Sequence, residues 1–147
     1  MMANYYNQIL EAEILLAKGQ TDRAIERAGT IQLENPRREL SLDLVIFYNL
    51  SVHRDILARV YTADGQWDNA IKQYERLMNR SAATTACQLI HPVYHYRLAR
   101  LYEQKGWPGK AIEQYKTFLS FYRNADKGIK EVAKAKQRLS QLQLAAK

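Results

Sequence analysis

The chain has 147 residues, of which 47% are hydrophobic and 25% are charged, and these ordinary values argue against a disordered protein. A single cysteine excludes an intrachain disulfide, and 6 glycines with 3 prolines are too few for an all-β fold that turns about every ten residues. No apolar run reaches the roughly 18 residues of a membrane span, and the first residues do not have the pattern of a signal peptide. We therefore expect a cytoplasmic protein with no membrane partner.

Positive charge is concentrated in the last third of the chain. Residues 97–147 hold 12 Lys and Arg against 4 Asp and Glu, a net charge of +8, whereas residues 1–96 carry a net charge of −1. A basic end attracts nucleic acid, anionic lipid or an acidic protein. The competing interpretation is a solvated helix surface whose charges keep the protein soluble.

The spacing of apolar residues predicts helices along the whole chain. They cover about residues 3–18, 21–34, 40–64, 67–80, 92–105, 108–124 and 128–144. The third is long enough to hold a separate short helix before Asn49, and residues 81–89 are predicted to form a loop. The last helix has an apolar stripe of Ile129, Val132, Ala135, Leu139 and Leu142, and we expect it to cap the end of the fold.

One phrase recurs three times among these helices: a glycine, four residues, and then Ala-Ile. The copies begin at Gly19, Gly65 and Gly106 and read GQTDRAI, GQWDNAI and GWPGKAI. Glycine accepts the left-handed conformation that ends many helices, so each copy is predicted to join two helices in a hairpin. Thr21 and Asp68 are then predicted N-caps of the second helices, and Pro108 fits a first helical turn.

Small residues recur at fixed places in each hairpin. They are Ala12, Ala58 and Ala99 before the glycine, and Ala24, Ala70 and Ala111 after it. They let the paired helices approach closely, and Tyr61, Tyr74, Tyr102 and Tyr115 are predicted to fill the core beside them. A single hairpin cannot bury its apolar face alone, so stacking of successive hairpins predicts an α-solenoid.

This pattern resembles the tetratricopeptide repeat. The second copy matches the family motif with Leu57, Ala58, Tyr61, Gly65, Trp67, Ala70 and Tyr74. The third copy matches with Leu98, Ala99, Tyr102, Gly106, Ala111 and Tyr115. The first is degenerate and keeps Ala12, Gly19, Ala24, Ala28 and a closing Pro36. The glycine spacings of 46 and 41 exceed the family's repeat of about 34, which places extra residues in the connectors 35–50 and 80–92 or in longer helices.

The resemblance implies an all-α fold, a right-handed α-solenoid of three hairpins with a C-terminal capping helix. The hairpins cover about residues 5–36, 40–80 and 92–124, and the capping helix about 128–144, in a single domain over residues 1–147. The carboxyl-terminal run is also similar to the C-terminal tetratricopeptide array of large bacterial signalling proteins, which join such arrays to kinase, cyclase or DNA-binding modules. That similarity implies the sensor or scaffold part of a signalling protein.

In this family the first helices of successive repeats line a concave groove where ligands bind. Carried over by motif position, the groove residues are Val52, Asp55, Arg59 and Thr62 in the second repeat and Val93, Tyr96, Arg100 and Glu103 in the third. Arg59 and Arg100 occupy the same repeat position and could together grip a carboxylate. The alternative is that Asp55 and Glu103 neutralise them in local pairs.

Several specific sites are not expected. The family's clamp for C-terminal carboxylates needs Lys and Asn where this chain has Ile9, Glu13 and Ile56, which argues against a heat-shock co-chaperone. Cys87, His91 and His95 are spaced by four, but Pro92 interrupts the helix between them, so we expect no metal and no cofactor. No nucleophile arrangement or phosphate-binding loop is present, so we do not expect an enzyme.

The sequence favours a non-catalytic scaffold that binds a segment of a partner protein in its groove. Tyr48, Tyr94 and Tyr96 are outside the core pattern and could face that groove. A second hypothesis is binding of an acidic partner or nucleic acid through the basic end, although nucleic acid is not the partner we expect. A third is a homodimer formed through an apolar outer end made of Tyr5, Tyr6, Ile9 and Leu10.

Overall fold

The computed structural model describes residues 2–31, 50–79, 90–124 and 128–145, and within these ranges every regular element is a helix and none is a strand. This confirms the predicted all-α fold. The chain divides into two compact units, residues 1–90 and 91–147, and the single-domain arrangement stays a prediction. No helix in the described ranges is long and apolar enough to span a bilayer.

The first unit contains two helical hairpins. Its helices are α1 (Met2–Ala17), α2 (Thr21–Gly29), α3 (Ser51–Arg54), α4 (Ile56–Ala63) and α5 (Trp67–Met78). Helix α1 packs on α2 and α4 packs on α5, while α2 also packs on α4, so the first hairpin stacks on the second. The core between them is formed by Ala12, Ala24, Ala28, Ile56 and Val60, and it uses the small residues that the repeat pattern singled out.

The second unit contains the third hairpin and the last helix. It comprises α6 (Pro92–Gln104), α7 (Pro108–Phe121) and α8 (Lys130–Ala145), and α7 packs against both of its neighbours. Tyr94, Leu98, Ala99, Tyr115 and Phe118 form the core, each 1% exposed or less. Ala135 is fully buried on α8, and the other residues of the predicted apolar stripe are half-buried.

Each hairpin glycine closes its first helix in the same way. Gly19, Gly65 and Gly106 have φ of 70°, 76° and 67°, which confirms the predicted left-handed conformation. At the second of these turns the Gly65 N–H donates to the Thr62 carbonyl at 3.3 Å, and the Gln66 N–H donates to the Tyr61 carbonyl at 2.9 Å. These two bonds satisfy carbonyls that the helix end would otherwise leave without partners. Equivalent bonds close α1 and α6.

The second helices begin differently from the prediction. The N-cap residues are Gln20 and Gln66, and neither makes a side-chain capping bond, so the caps predicted at Thr21 and Asp68 are wrong. Pro108 does occupy the first turn of α7. The Thr21 hydroxyl instead donates to Asp64 at 2.6 Å, which links the turns of the first two hairpins. Hydrogen bonds from Thr21 and Gln66 lower the pKa of Asp64.

Two predicted helix boundaries also differ. The helix expected over residues 40–64 is interrupted at Asp55, whose φ of −103° and ψ of 10° separate α3 from α4. The buried carboxylate of Asp55 at this break accepts hydrogen bonds from the Arg59 and Tyr74 side chains. The second predicted helix ends at Gly29, because glycine and Thr30 are weak helix formers. Pro36, Tyr48, Cys87 and the predicted 81–89 loop lie outside the described residues.

Candidate functional site

Arg59 on α4 is the centre of a polar network in the first unit. Its Nε donates to Asp55 at 2.9 Å, its Nη1 donates to Glu13 of α1 at 3.1 Å, and its Nη2 also bonds Glu13. Asp55 is fully buried and accepts a further hydrogen bond from the Tyr74 hydroxyl at 3.3 Å. The charge of Arg59 is therefore balanced inside its own unit, by the local pair with Asp55 and by Glu13 of the neighbouring hairpin.

The rest of the second-repeat set lies on the surface. Val52 on α3 is 46% exposed, and its carbonyl accepts a hydrogen bond from Arg59 Nη2 at 3.0 Å. Thr62 on α4 is exposed, and its hydroxyl donates back to the Ala58 carbonyl at 2.7 Å. This part of the first unit thus presents an apolar side chain and a hydroxyl, while Asp55 is withdrawn into the interior.

Glu103 on α6 is the centre of a second network, in the other unit. It accepts hydrogen bonds from the Tyr115 hydroxyl at 2.5 Å and from Arg138 Nε of α8 at 2.9 Å, and it also bonds Arg138 Nη2. Burial alone would raise the pKa of Glu103. The hydrogen bonds from Arg138 and Tyr115, together with the positive charges of Arg138 and Arg100, outweigh this effect and lower the pKa of Glu103. Burial and the Glu103 carboxylate raise the pKa of Tyr115, which keeps its hydroxyl a donor.

Arg100 differs from Asp55, Arg59 and Glu103, the other charged residues predicted for the groove, which all form hydrogen bonds. It is exposed on α6 and makes no hydrogen bond or ion pair within the part of the chain that the structure describes. Glu103 lies one turn further along α6 but is engaged by Arg138. The guanidinium of Arg100 therefore remains available to another molecule.

Tyr96 and Val93 complete the third-repeat set. Tyr96 is only 7% exposed, and its ring centroid lies 6.1 Å from that of Tyr115 and 5.3 Å from that of Phe118. Tyr94 is fully buried, and Val93 is half-buried. The structure thus places both tyrosine rings in the core of the unit and not on an open surface, because they fill the space between α6 and α7.

The different environments of Arg59 and Arg100 have a cause in the sequence. The two arginines are 41 residues apart at the same repeat position, and Tyr96 stands 41 residues after Asp55. Arg59 therefore has a carboxylate one helical turn before it, whereas Arg100 has a tyrosine there. A pair at this spacing forms on a helix surface only when the charges are complementary.

Two of the remaining candidates, His91 and His95, contact neighbouring side chains. His95 Nδ1 lies 2.7 Å from the Gln114 amide oxygen, and its ring stacks on Phe121 with 5.9 Å between centroids. The ring of His91 contacts Tyr94. Among the described residues no three His, Cys, Asp or Glu side chains form a group that could hold a metal ion, and Cys87 is outside those residues.

Comparison with protein families identifies the repeats. Two family models, each described as a tetratricopeptide repeat, match residues 55–86 and 93–124. The chain contains tetratricopeptide repeats. The first tetratricopeptide match includes Asp55, Arg59 and Thr62, and the second includes the whole third-repeat set. Repeats of this kind point to a protein-interaction scaffold, a binding fold and not a catalytic one.

Solved structures share the fold of this tetratricopeptide-repeat protein. One, of the type III secretion translocator chaperone SycD from Yersinia enterocolitica in an alternative dimer, is 16% identical with a TM-score of 0.72 and covers 99% of this chain and 96% of its own. A second structure of SycD from the same organism is 15% identical to this chain, with a TM-score of 0.71. The match covers 99% of this chain and 88% of the SycD chain. No curated protein sequence gives a significant match.

Proposed function

We propose that this chain is a non-catalytic scaffold of the bacterial cytoplasm that binds a segment of a partner protein along the groove lined by the first helices of its repeats. The observation that carries the proposal is Arg100, a charged group of the first-helix surface whose guanidinium makes no hydrogen bond or ion pair in the described residues. SycD, which shares this fold, is named as a chaperone of translocators, and this supports a protein as the ligand. The carboxyl-terminal resemblance supports a partner in bacterial signalling.

The predicted groove residues take two roles in this proposal. Four of them, Asp55, Arg59, Tyr96 and Glu103, hold the helices in place through buried and half-buried contacts. The other four, Val52, Thr62, Val93 and Arg100, supply the contacts to the partner. A surface whose supporting side chains are already fixed loses little conformational entropy on binding, which favours affinity.

An array of overlapping peptides with varied charge and hydropathy tests this proposal. We expect Val52→Asp and Arg100→Glu each to weaken binding of the peptides that the wild-type protein captures by at least about fivefold, or roughly 1 kcal/mol. Matched controls are Lys72→Glu on α5 and Lys116→Glu on α7, which reverse exposed charges on second helices. Retention of every peptide by Val52→Asp and Arg100→Glu, with helix content unchanged, would refute the groove assignment.

Self-association is a second candidate function, and α1 carries the observation that favours it. Leu10 is 58% exposed and Ile14 is 44% exposed, and the two lie one turn apart on this helix. Of the outer-end residues predicted from the sequence, Ile9 is buried, and Tyr5 and Tyr6 are half-buried with rings that contact each other and His53. Leu10 and Ile14 are therefore the pair that a second copy would cover.

Light scattering at two protein concentrations measures this association directly. We expect a molar mass that rises with concentration in the wild type, and a monomer at both concentrations after Leu10→Lys with Ile14→Glu. Leu144→Lys on α8 is the matched control, since Leu144 is an exposed leucine in the other unit. A wild-type protein that stays monomeric at both concentrations would exclude the homodimer.

A further inference from the structure

Helix α8 places a row of cations beside α6. Short connections make α7 antiparallel to both neighbours, so α6 and α8 run in the same direction. The bond from Arg138 Nε to Glu103 fixes their relative height. Lys134 lies one turn before Arg138 and Arg100 lies one turn before Glu103, so the two free cations stand at the same level on the two helices.

Positive charge on this surface exceeds negative charge. Arg138 and Glu103 neutralise each other, whereas Arg100, Lys130 and Lys134 are exposed and make no ion pair within the described ranges. Glu131 is exposed on the same part of α8 and compensates one of these three charges at most. Part of the excess seen in the sequence of residues 97–147 thus lies along α6 and α8.

We propose that this patch, formed by Arg100, Lys130, Lys134 and Arg138 and called here the α6–α8 cationic surface, binds an acidic segment of the partner protein. The inference rests on the proposed function and adds the chemistry of the ligand. Carboxylates of the segment pair with Arg100 on α6 and Lys134 on α8, each one turn before the residue that joins its helix to the other through the Arg138–Glu103 bond.

Arg138 is the pre-positioned member of the surface. Its Nε and Nη2 bond Glu103, and its Nη1 donates to the Gln141 amide oxygen at 2.5 Å. A guanidinium held in this way fixes α8 against α6, while Glu103 balances its own charge. Arg138 is thus a positioning residue, and Arg100 and Lys134 make the direct contacts.

The aromatic residues of this unit favour a protein ligand over a nucleic acid. Single-stranded nucleic acid binds through bases stacked on accessible aromatic rings beside basic groups. The rings of Tyr94, Tyr96, Tyr102 and Tyr115 are buried in the core. Trp107 and Phe121 are exposed, but Lys105 and Lys110 lie over the Trp107 ring at 5.6 and 4.8 Å from its centroid, and the His95 ring stacks on Phe121. The cationic surface therefore offers charge without a stacking platform.

Fluorescence anisotropy with three labelled probes tests the inference. The probes are a glutamate-rich synthetic peptide, the same peptide with glutamine at every glutamate, and a single-stranded oligonucleotide of equal length. We expect the glutamate peptide to bind at least about tenfold more tightly than the glutamine peptide, with an affinity that falls as salt rises. Arg100→Glu and Lys134→Glu are each expected to weaken it by about fivefold, and Lys116→Glu, the matched reversal on α7, by less than about twofold.

Three results would overturn the inference. Equal binding of the two peptides would show that acidity is not recognised. An equal loss from Lys116→Glu would show a diffuse attraction to net charge and no defined surface. Preferential binding of the oligonucleotide would assign the surface to nucleic acid. If the peptide array finds neutral ligands that Arg100→Glu weakens while the glutamate peptide does not bind, the scaffold function stands and the acidic specificity fails.

Discussion

Gly65→Val is expected to lower the free energy of unfolding by about 2 kcal/mol. Gly65 has a φ of 76°, a conformation that a β-branched residue adopts only with strain. A Cβ added there would meet no heavy atom within 4 Å, so the loss comes from the backbone and not from a clash. Urea unfolding followed by circular dichroism measures the change.

Gly29→Ala is the matched control in the same unit. Gly29 lies at the end of α2, has no positive φ, and also has open space around its Cβ position. Alanine there restricts the unfolded chain and favours the helix, so we expect a gain of about 0.5 kcal/mol. An unchanged unfolding midpoint for Gly65→Val would show that the left-handed turn does not contribute to stability.

The features that the sequence predicted correctly are those with a local cause. The glycine that ends the first helix recurs at the same place in each hairpin. Gly19, Gly65 and Gly106 could therefore all be predicted to have a left-handed conformation. Burial of Tyr74 and Tyr115 followed from the same repetition, because each ring fills the core of its own hairpin, whereas Tyr61 is only half-buried although its equivalent Tyr102 is buried. Agreement between copies therefore replaced the evidence that an alignment of homologues would otherwise give.

The hydrogen bonds and ion pairs that the sequence did not predict join residues far apart in the chain. Thr21 bonds Asp64, 43 residues away, instead of capping its own helix. Glu13 lies 46 residues before Arg59 and Arg138 lies 35 residues after Glu103. Such pairs form where packed helices bring charges together, and no spacing within one helix indicates them.

One part of the candidate site could have been predicted more fully. Asp55 one turn before Arg59 already indicated a paired arginine, whereas Glu103 one turn after Arg100 indicated a pair that Arg138 replaces. The expectation that both arginines act together treated equal repeat positions as equal environments. In a degenerate repeat the neighbouring side chains differ. They determine whether an arginine pairs with a carboxylate of its own chain or stays accessible to a ligand.

Asp55→Ala is expected to lower the free energy of unfolding by about 2–3 kcal/mol. The Asp55 carboxylate is fully buried and accepts bonds from Arg59 and from the Tyr74 hydroxyl. Alanine removes both bonds and leaves the buried hydroxyl of Tyr74 without this acceptor, which is the costly half of a broken hydrogen bond. Urea unfolding at neutral pH measures the loss.

Glu13→Ala separates the two halves of this network. Glu13 is the partly exposed partner of Arg59, and water replaces its bonds, so we expect a loss of about 1 kcal/mol or less. Combining Asp55→Ala with Tyr74→Phe should cost less than the sum of the single changes, because each change alone already removes the bond between the carboxylate and the hydroxyl. Equal losses for Asp55→Ala and Glu13→Ala would mean that the charge of Arg59, and not the buried carboxylate, joins α4 to its neighbours.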